Sequence, residues 1–168
     1  MQMTFTLAGV PLLMALTLTT VGNRYTLQYP APPLCRRTEI DLGFGKSPKD
    51  ECHFFDTEVG RGYGGEIVAF PDSAERPDAR QLLLAAADGA ASATDSDVVD
   101  RRAHSVDGYP ALDVTLYPRG QGHVAFLRLV MLGKYLITVT ADGYGARAIP
   151  ADASAFIGSL KILPTNAN

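Results

Sequence analysis

Tryptophan is absent from this 168-residue sequence, cysteine occurs twice and histidine three times. Without tryptophan, and with no aromatics interleaved along a basic stripe, a base-stacking platform is excluded. Basic residues never run beyond Arg36-Arg37 or Arg101-Arg102, and net charge is −3. Phosphate binding needs clustered cations, so neither nucleic acid nor an anionic membrane surface is expected as the main partner. There is no Cys-x-x-Cys and no His-x-x-x-His. Cys52 and His53 are neighbours, and on a strand neighbours face opposite ways, so no zinc site is expected. Asp95, Asp97 and Asp100 lack the glycine turn and distal glutamate of a calcium loop. No Gly-x-Ser-x-Gly elbow occurs, and His53, His104 and His123 fall on different expected strands. No catalytic residue, metal or cofactor is therefore assigned. An enzyme, most plausibly a hydrolase using a histidine, would need a site assembled from distant residues.

What is present is an ordinary globular composition, 46% hydrophobic and 20% charged. Residues 1–22 form an apolar segment without a charged side chain, the first being Arg24. The Leu7 to Val21 run has signal-peptide length but no basic residue before it, and Thr20 and Gly22 are small enough to flank a cleavage site. Cleavage there would export the protein to the periplasm or beyond. The alternatives are an uncleaved anchor, or a start at Met14 that makes Ala15 to Val21 a plain strand of a cytoplasmic protein. Residues 23–164 read as one domain and 165–168 as a tail.

Within the domain, alternation predicts strands at Tyr25 to Tyr29, Leu34 to Leu42, Glu51 to Val59 and Glu66 to Phe70. Gly60 to Gly65 reads as a turn, since no strand and helix flank these glycines as a phosphate cradle requires. Pro77 to Ala93 is the one long helix, with Pro77 in its first turn and a stripe of Leu83, Ala87 and Ala90. Four strands follow: Asp97 to Val106, Tyr109 to Tyr117, Val124 to Leu132 and Tyr135 to Ala141. A short helix at Ala151 to Gly158 and an extended Leu160 to Leu163 close the chain. Pairing Leu132 with Tyr135 puts Leu127, Leu129, Met131 and Leu136 on one face and Phe126, Val130, Ile137 and Val139 on the other. A strand pair apolar on both faces needs cover on both. The expected class is α+β, an antiparallel sheet of about six to eight strands covered by helices on both faces.

Several of these pieces resemble the PsbP/Mog-like superfamily, especially its small exported bacterial members. They are Tyr25-Thr26-Leu27-Gln28-Tyr29-Pro30, then Asp107-Gly108-Tyr109-Pro110 followed by Asp113. The hairpin at Gly133-Lys134-Tyr135 and the closing Phe156-Ile157-Gly158-Ser159-Leu160-Lys161-Ile162 complete the set. The usual glycine and basic residue after Tyr-Pro are here Ala111 and Leu112. The resemblance implies an antiparallel sheet with helices on its two sides and no enzymatic activity. It implies an accessory or adaptor role, as in an extrinsic photosystem subunit, a Ran-binding protein and envelope proteins.

Arg128 interrupts the apolar Phe126, Val130, Leu132 face. A hairpin turned at Pro118 to Gly120 sets it diagonally from Asp113 on one face, which predicts a structural ion pair beneath a helix. A small-ligand site, if present, would draw on His104 and Tyr109. In an exported protein Cys35 and Cys52 invite a disulfide. A turn centred near Gly45 and Lys46 sets Cys35 opposite Asp56, and an offset of about four residues is roughly 13 Å, beyond bridging reach. Two separate thiols are expected, and a shifted turn with bulges is the alternative that would join them. The functional expectation is a non-enzymatic binding or accessory protein of the cell envelope, its partner an unidentified protein or small ligand. A structural subunit of an envelope complex is the further alternative.

Overall fold

Strand pairing dominates the architecture. The computed structural model describes residues 17–42, 45–71, 78–120, 122–144 and 148–164. Ten strands and two helices follow in the order β1 (Thr17–Val21), β2 (Tyr25–Tyr29), β3 (Leu34–Asp41), β4 (Lys46–Asp56), β5 (Arg61–Ala69), α1 (Ala79–Ala93), β6 (Ser96–Val106), β7 (Tyr109–Pro118), β8 (His123–Leu132), β9 (Tyr135–Tyr144), α2 (Ala151–Gly158) and β10 (Lys161–Ile162). They form a seven-stranded sheet, β3-β4-β5-β9-β8-β7-β6, and a three-stranded sheet, β1-β2-β10, with every pairing antiparallel. The fold is α+β.

The hairpin β8-β9 shows why the core divides. Leu132 pairs with Tyr135 across the Gly133-Lys134 turn. Leu127, Leu129 and Met131 then join one buried cluster with Leu83, Ala87 and Ala91 of α1. Phe126, Val130, Ile137 and Val139 join the other, with Tyr25, Leu27 and Tyr29 of β2 and Phe156 and Ile157 of α2. Val130, Ile137 and Val139 are fully buried, and each such side chain contributes about 1.5–3 kcal/mol. The β6-β7 turn is Asp107-Gly108, both at positive φ (50° and 83°), the geometry a two-residue hairpin turn requires. Asp78 caps α1, its carboxylate accepting the N–H groups of Arg80 and Gln81. Pro77, expected in the first turn of this helix, lies outside the described residues.

Three expectations are corrected. Thr17–Val21, counted with the N-terminal apolar segment, pair with β2 as β1, so the domain reaches back at least to Thr17. Residues 1–16 of the expected signal lie outside the described residues, as do 165–168 of the expected tail.

Of the glycines expected as a turn, Gly60 lies in one, and Gly62, Gly64 and Gly65 are strand instead. The chain turns at 57–60 and runs through Gly62, Gly64 and Gly65 as β5. The missing side chains make room. A Cβ at Gly65 would lie 2.5 Å from Leu27 Cδ1 and 2.9 Å from the Tyr25 hydroxyl, so the small sheet packs onto bare β5 backbone.

Cys35 and Cys52 are joined by a disulfide. The β3-β4 turn is centred two residues earlier than its glycine and proline content suggested. Lys46, Ser47 and Pro48 belong to β4, where they pair with Asp41, Ile40 and Glu39, and this register sets Cys35 directly opposite Cys52. No bulge is needed. With a sequence separation of 17, cross-linking restricts the unfolded chain by about 3 kcal/mol. Urea unfolding of the native protein with and without dithiothreitol is expected to show that loss, and an unchanged midpoint would mean the bond adds nothing.

Candidate functional site

Arg128 of β8 stands directly opposite Asp113 of β7, not diagonally, because the hairpin pairs Ala111 with Val130. Its Nε donates to Asp113 Oδ1 at 2.7 Å and its Nη2 to Oδ2 at 2.9 Å, a two-pronged pair. Its Nη1 donates to the Ile157 carbonyl at 3.2 Å, in the last turn of α2. Helix α2 has no basic residue in that turn, so the sheet supplies the cation that its carbonyl end favours. Two further groups of β6 approach Asp113. His104 Nε2 lies 2.9 Å from Oδ1, and Arg102 Nη2 lies 3.6 Å from Oδ2. Burial alone would raise the Asp113 carboxyl; the bonds from Arg128 and His104 outweigh it and hold it below the usual carboxylate range.

Asp113, Arg128 and Arg102 line a cavity of about 430 Å³ between α2 and the β6 edge of the sheet, with Phe126, Ile157, Val99 and Ile149 around it; His104 does not line it. Val99 and Ile149 are 60% and 42% exposed. The groove is thus charged at its base, and its rim carries apolar Val99 and Ile149 beside the exposed Asp100 and Arg102. His104 Nδ1 lies 3.2 Å from the Ser105 carbonyl, so each ring nitrogen has an oxygen within hydrogen-bond distance. Tyr109 sits four residues from Asp113 along β7 and packs against the core cluster beneath the small sheet, away from the groove. The structure brings Asp113, Arg128 and His104 together and leaves Tyr109 apart.

Two polar sites went unnoticed in the sequence. Arg61 pairs with Asp152, and Tyr63 donates to the same carboxylate at 2.8 Å, fastening the first turn of α2 to β5. Burial and then the bond to Asp152 push the Tyr63 hydroxyl up to about 12. Glu51 is a buried carboxylate on β4 engaged by Lys49 at 2.5 Å, by Arg36 and by His53 at 3.4 Å. Burial raises its carboxyl, but the bonds from Lys49, Arg36 and His53 bring it down to about 2. Its i±2 neighbours Lys49 and His53 were a readable strand-face signal; Arg61 and Asp152 had none. Among the described residues no group of three or more His, Cys, Asp or Glu side chains is placed to hold a metal ion.

Two antiparallel sheets, with α2 held to the large one by the Arg61–Asp152 ion pair and the Arg128 bond to the Ile157 carbonyl, define a PsbP-like fold. The solution structure of cyanobacterial PsbP (CyanoP) from Synechocystis sp. PCC 6803 is similar to this chain with a TM-score of 0.60 and 11% sequence identity, covering 94% of this chain and 98% of that one. At that identity the likeness concerns the fold. No family model matches the chain, and no curated protein is similar to it.

Both depressed carboxylates make stability fall on acidification. Free Asp and Glu titrate near 3.9 and 4.3, so each contribution is whole above those values and is lost as pH drops through the lower folded-state ones. Asp113→Asn and Glu51→Gln are each expected to cost about 2 kcal/mol at pH 7. The gap from wild type should narrow as pH falls below about 4 and, for Glu51, close only below about pH 2, as read by urea midpoints across pH; a pH-independent gap would assign the loss to packing. Arg128→Met is expected to cost a similar amount, and unchanged stability would defeat the structural reading of the pair.

Proposed function

We propose that this chain is a non-enzymatic binding or accessory protein of the cell envelope, acting as an exported domain that takes a protein partner in the groove above Asp113 and Arg128. One observation carries the reading: the groove is open, with Val99 and Ile149 exposed at its rim beside Asp100 and Arg102, while Asp113 and Arg128 at its base are engaged with one another. His104, held against Asp113, does not line the groove, so the groove itself presents no histidine to a substrate. Val99 and Ile149 present apolar surface of the kind that marks interaction sites.

Cluster membership supports a large sheet with a helix on each face, α1 sharing one core and α2 the other. That arrangement leaves the β6 edge beside α2 as an accessible lip. The disulfide supports an oxidising compartment, since such bonds persist outside the cytosol. The PsbP-like fold is consistent with an accessory role but does not dictate one. Because Val21 is buried in β1, the export reading requires cleavage before Thr17 and not at Thr20 or Gly22.

Two measurements test this. Fractionation with N-terminal sequencing is expected to find the mature protein in the envelope still carrying Thr17; a cytoplasmic chain would overturn the localisation. A photo-crosslinking residue at Val99 is expected to capture a discrete envelope protein, whereas one at Phe55, exposed on β4 and far from the groove, is not. Hydrolysis of p-nitrophenyl esters that disappears in His104→Ala would replace the accessory reading with an enzymatic one.

A further inference from the structure

We infer that a second site, on the other face of the β6-β7 hairpin, binds a small amphiphile with an anionic head and a short apolar body. Between the N-terminal half of α1 and the hairpin lies a pocket of about 270 Å³. Leu83 and Leu84 of the helix and Ala103 and Leu112 of the hairpin line it, with Arg80 and Arg101 at its border. Leu83 and Leu112 are buried, so the base is continuous with the core beneath α1.

The charges at this pocket are one-sided. The groove above Asp113 sets Asp100 and Asp113 against its arginines, and the cavity beside the disulfide sets Asp50 and Glu51 against Arg36 and Arg37. No carboxylate lines the pocket under α1. Arg101 reaches out of it to Asp88. Arg80 is exposed in the first turn of α1, and no acceptor meets its guanidinium among the described residues. His104 also borders the pocket, its ring nitrogens already facing Asp113 and the Ser105 carbonyl. The groups left to recognise a ligand are an apolar base and the Arg80 guanidinium, whose planar fork matches a carboxylate.

Size limits the body. The pocket lies just below the range of about 300–1,000 Å³ that holds drug-sized ligands, which suits a short alkyl or aryl chain and not a diacyl lipid. The inference does not rest on the groove above Asp113: the two sites occupy opposite faces of the hairpin, and either stands without the other.

The test titrates the full chain with octanoate, octylammonium and octanol below their aggregation limits, followed by amide chemical shifts. Octanoate is expected to perturb Ala79 to Leu84 and Arg101 to Leu112, and to bind about tenfold more tightly than the other two, the size of one charge-assisted contact. Arg80→Gln, an exposed change that leaves the core untouched, should weaken octanoate by a similar factor, and Arg80→Lys should recover part of it. Equal affinity for the three compounds, shifts confined to other residues, or an Arg80→Gln protein that binds octanoate as well as wild type would each overturn the inference.

Discussion

The hairpin β8-β9 has no face that tolerates water, and the rest of the structure answers to that. Leu127, Leu129 and Met131 point one way and Val130, Ile137 and Val139 the other, all buried. A single sheet cannot hide both sets, so two covers are needed. One is α1, whose small residues Ala87 and Ala91 let it lie close. The other is composite: the tyrosines and Leu27 of β2, closed by Phe156 and Ile157 of α2. The bare backbone of β5 is part of the same solution, because Gly65 is where Tyr25, Leu27 and Tyr29 come to rest.

The composite cover has a weak member. Helix α2 has eight residues and no side-chain cap, too short to persist without help. It is fastened at three points: Asp152 to Arg61 and Tyr63, the Ile157 carbonyl to Arg128, and Ser159 to the Gln28 amide. The Asp113–Arg128 pair is therefore a support as well as an ion pair. Asp113 holds the guanidinium, the guanidinium holds the end of the helix, and the helix forms one wall of the groove.

Period and turn chemistry made much of this readable. The limits of β2 and α2, the two faces of β8-β9 and the Asp113–Arg128 partnership all follow from local sequence. What escaped depends on contacts that no window contains. Asp152 is distant in sequence from Arg61 and Tyr63. The glycines of β5 carry no strand signal because their role is to be absent where other side chains press in. The β3-β4 register was misplaced because Pro48 reads as a loop residue, yet it pairs with Glu39 beyond the stretch where β4 meets β5. His104 reaches Asp113 only because the Asp107-Gly108 turn fixes the hairpin register.

The pairing of β10 with β2 bears on how the chain is made. Lys161 meets Thr26 and Ile162 meets Tyr25, so segments from opposite ends of the domain share a sheet. Synthesis is vectorial and domains generally fold as units as they emerge. Here Phe156, Ile157 and Leu160, which complete the cluster around β2, are its last members to leave the ribosome. The small sheet therefore gains its third strand only when the last segment of the domain has been made.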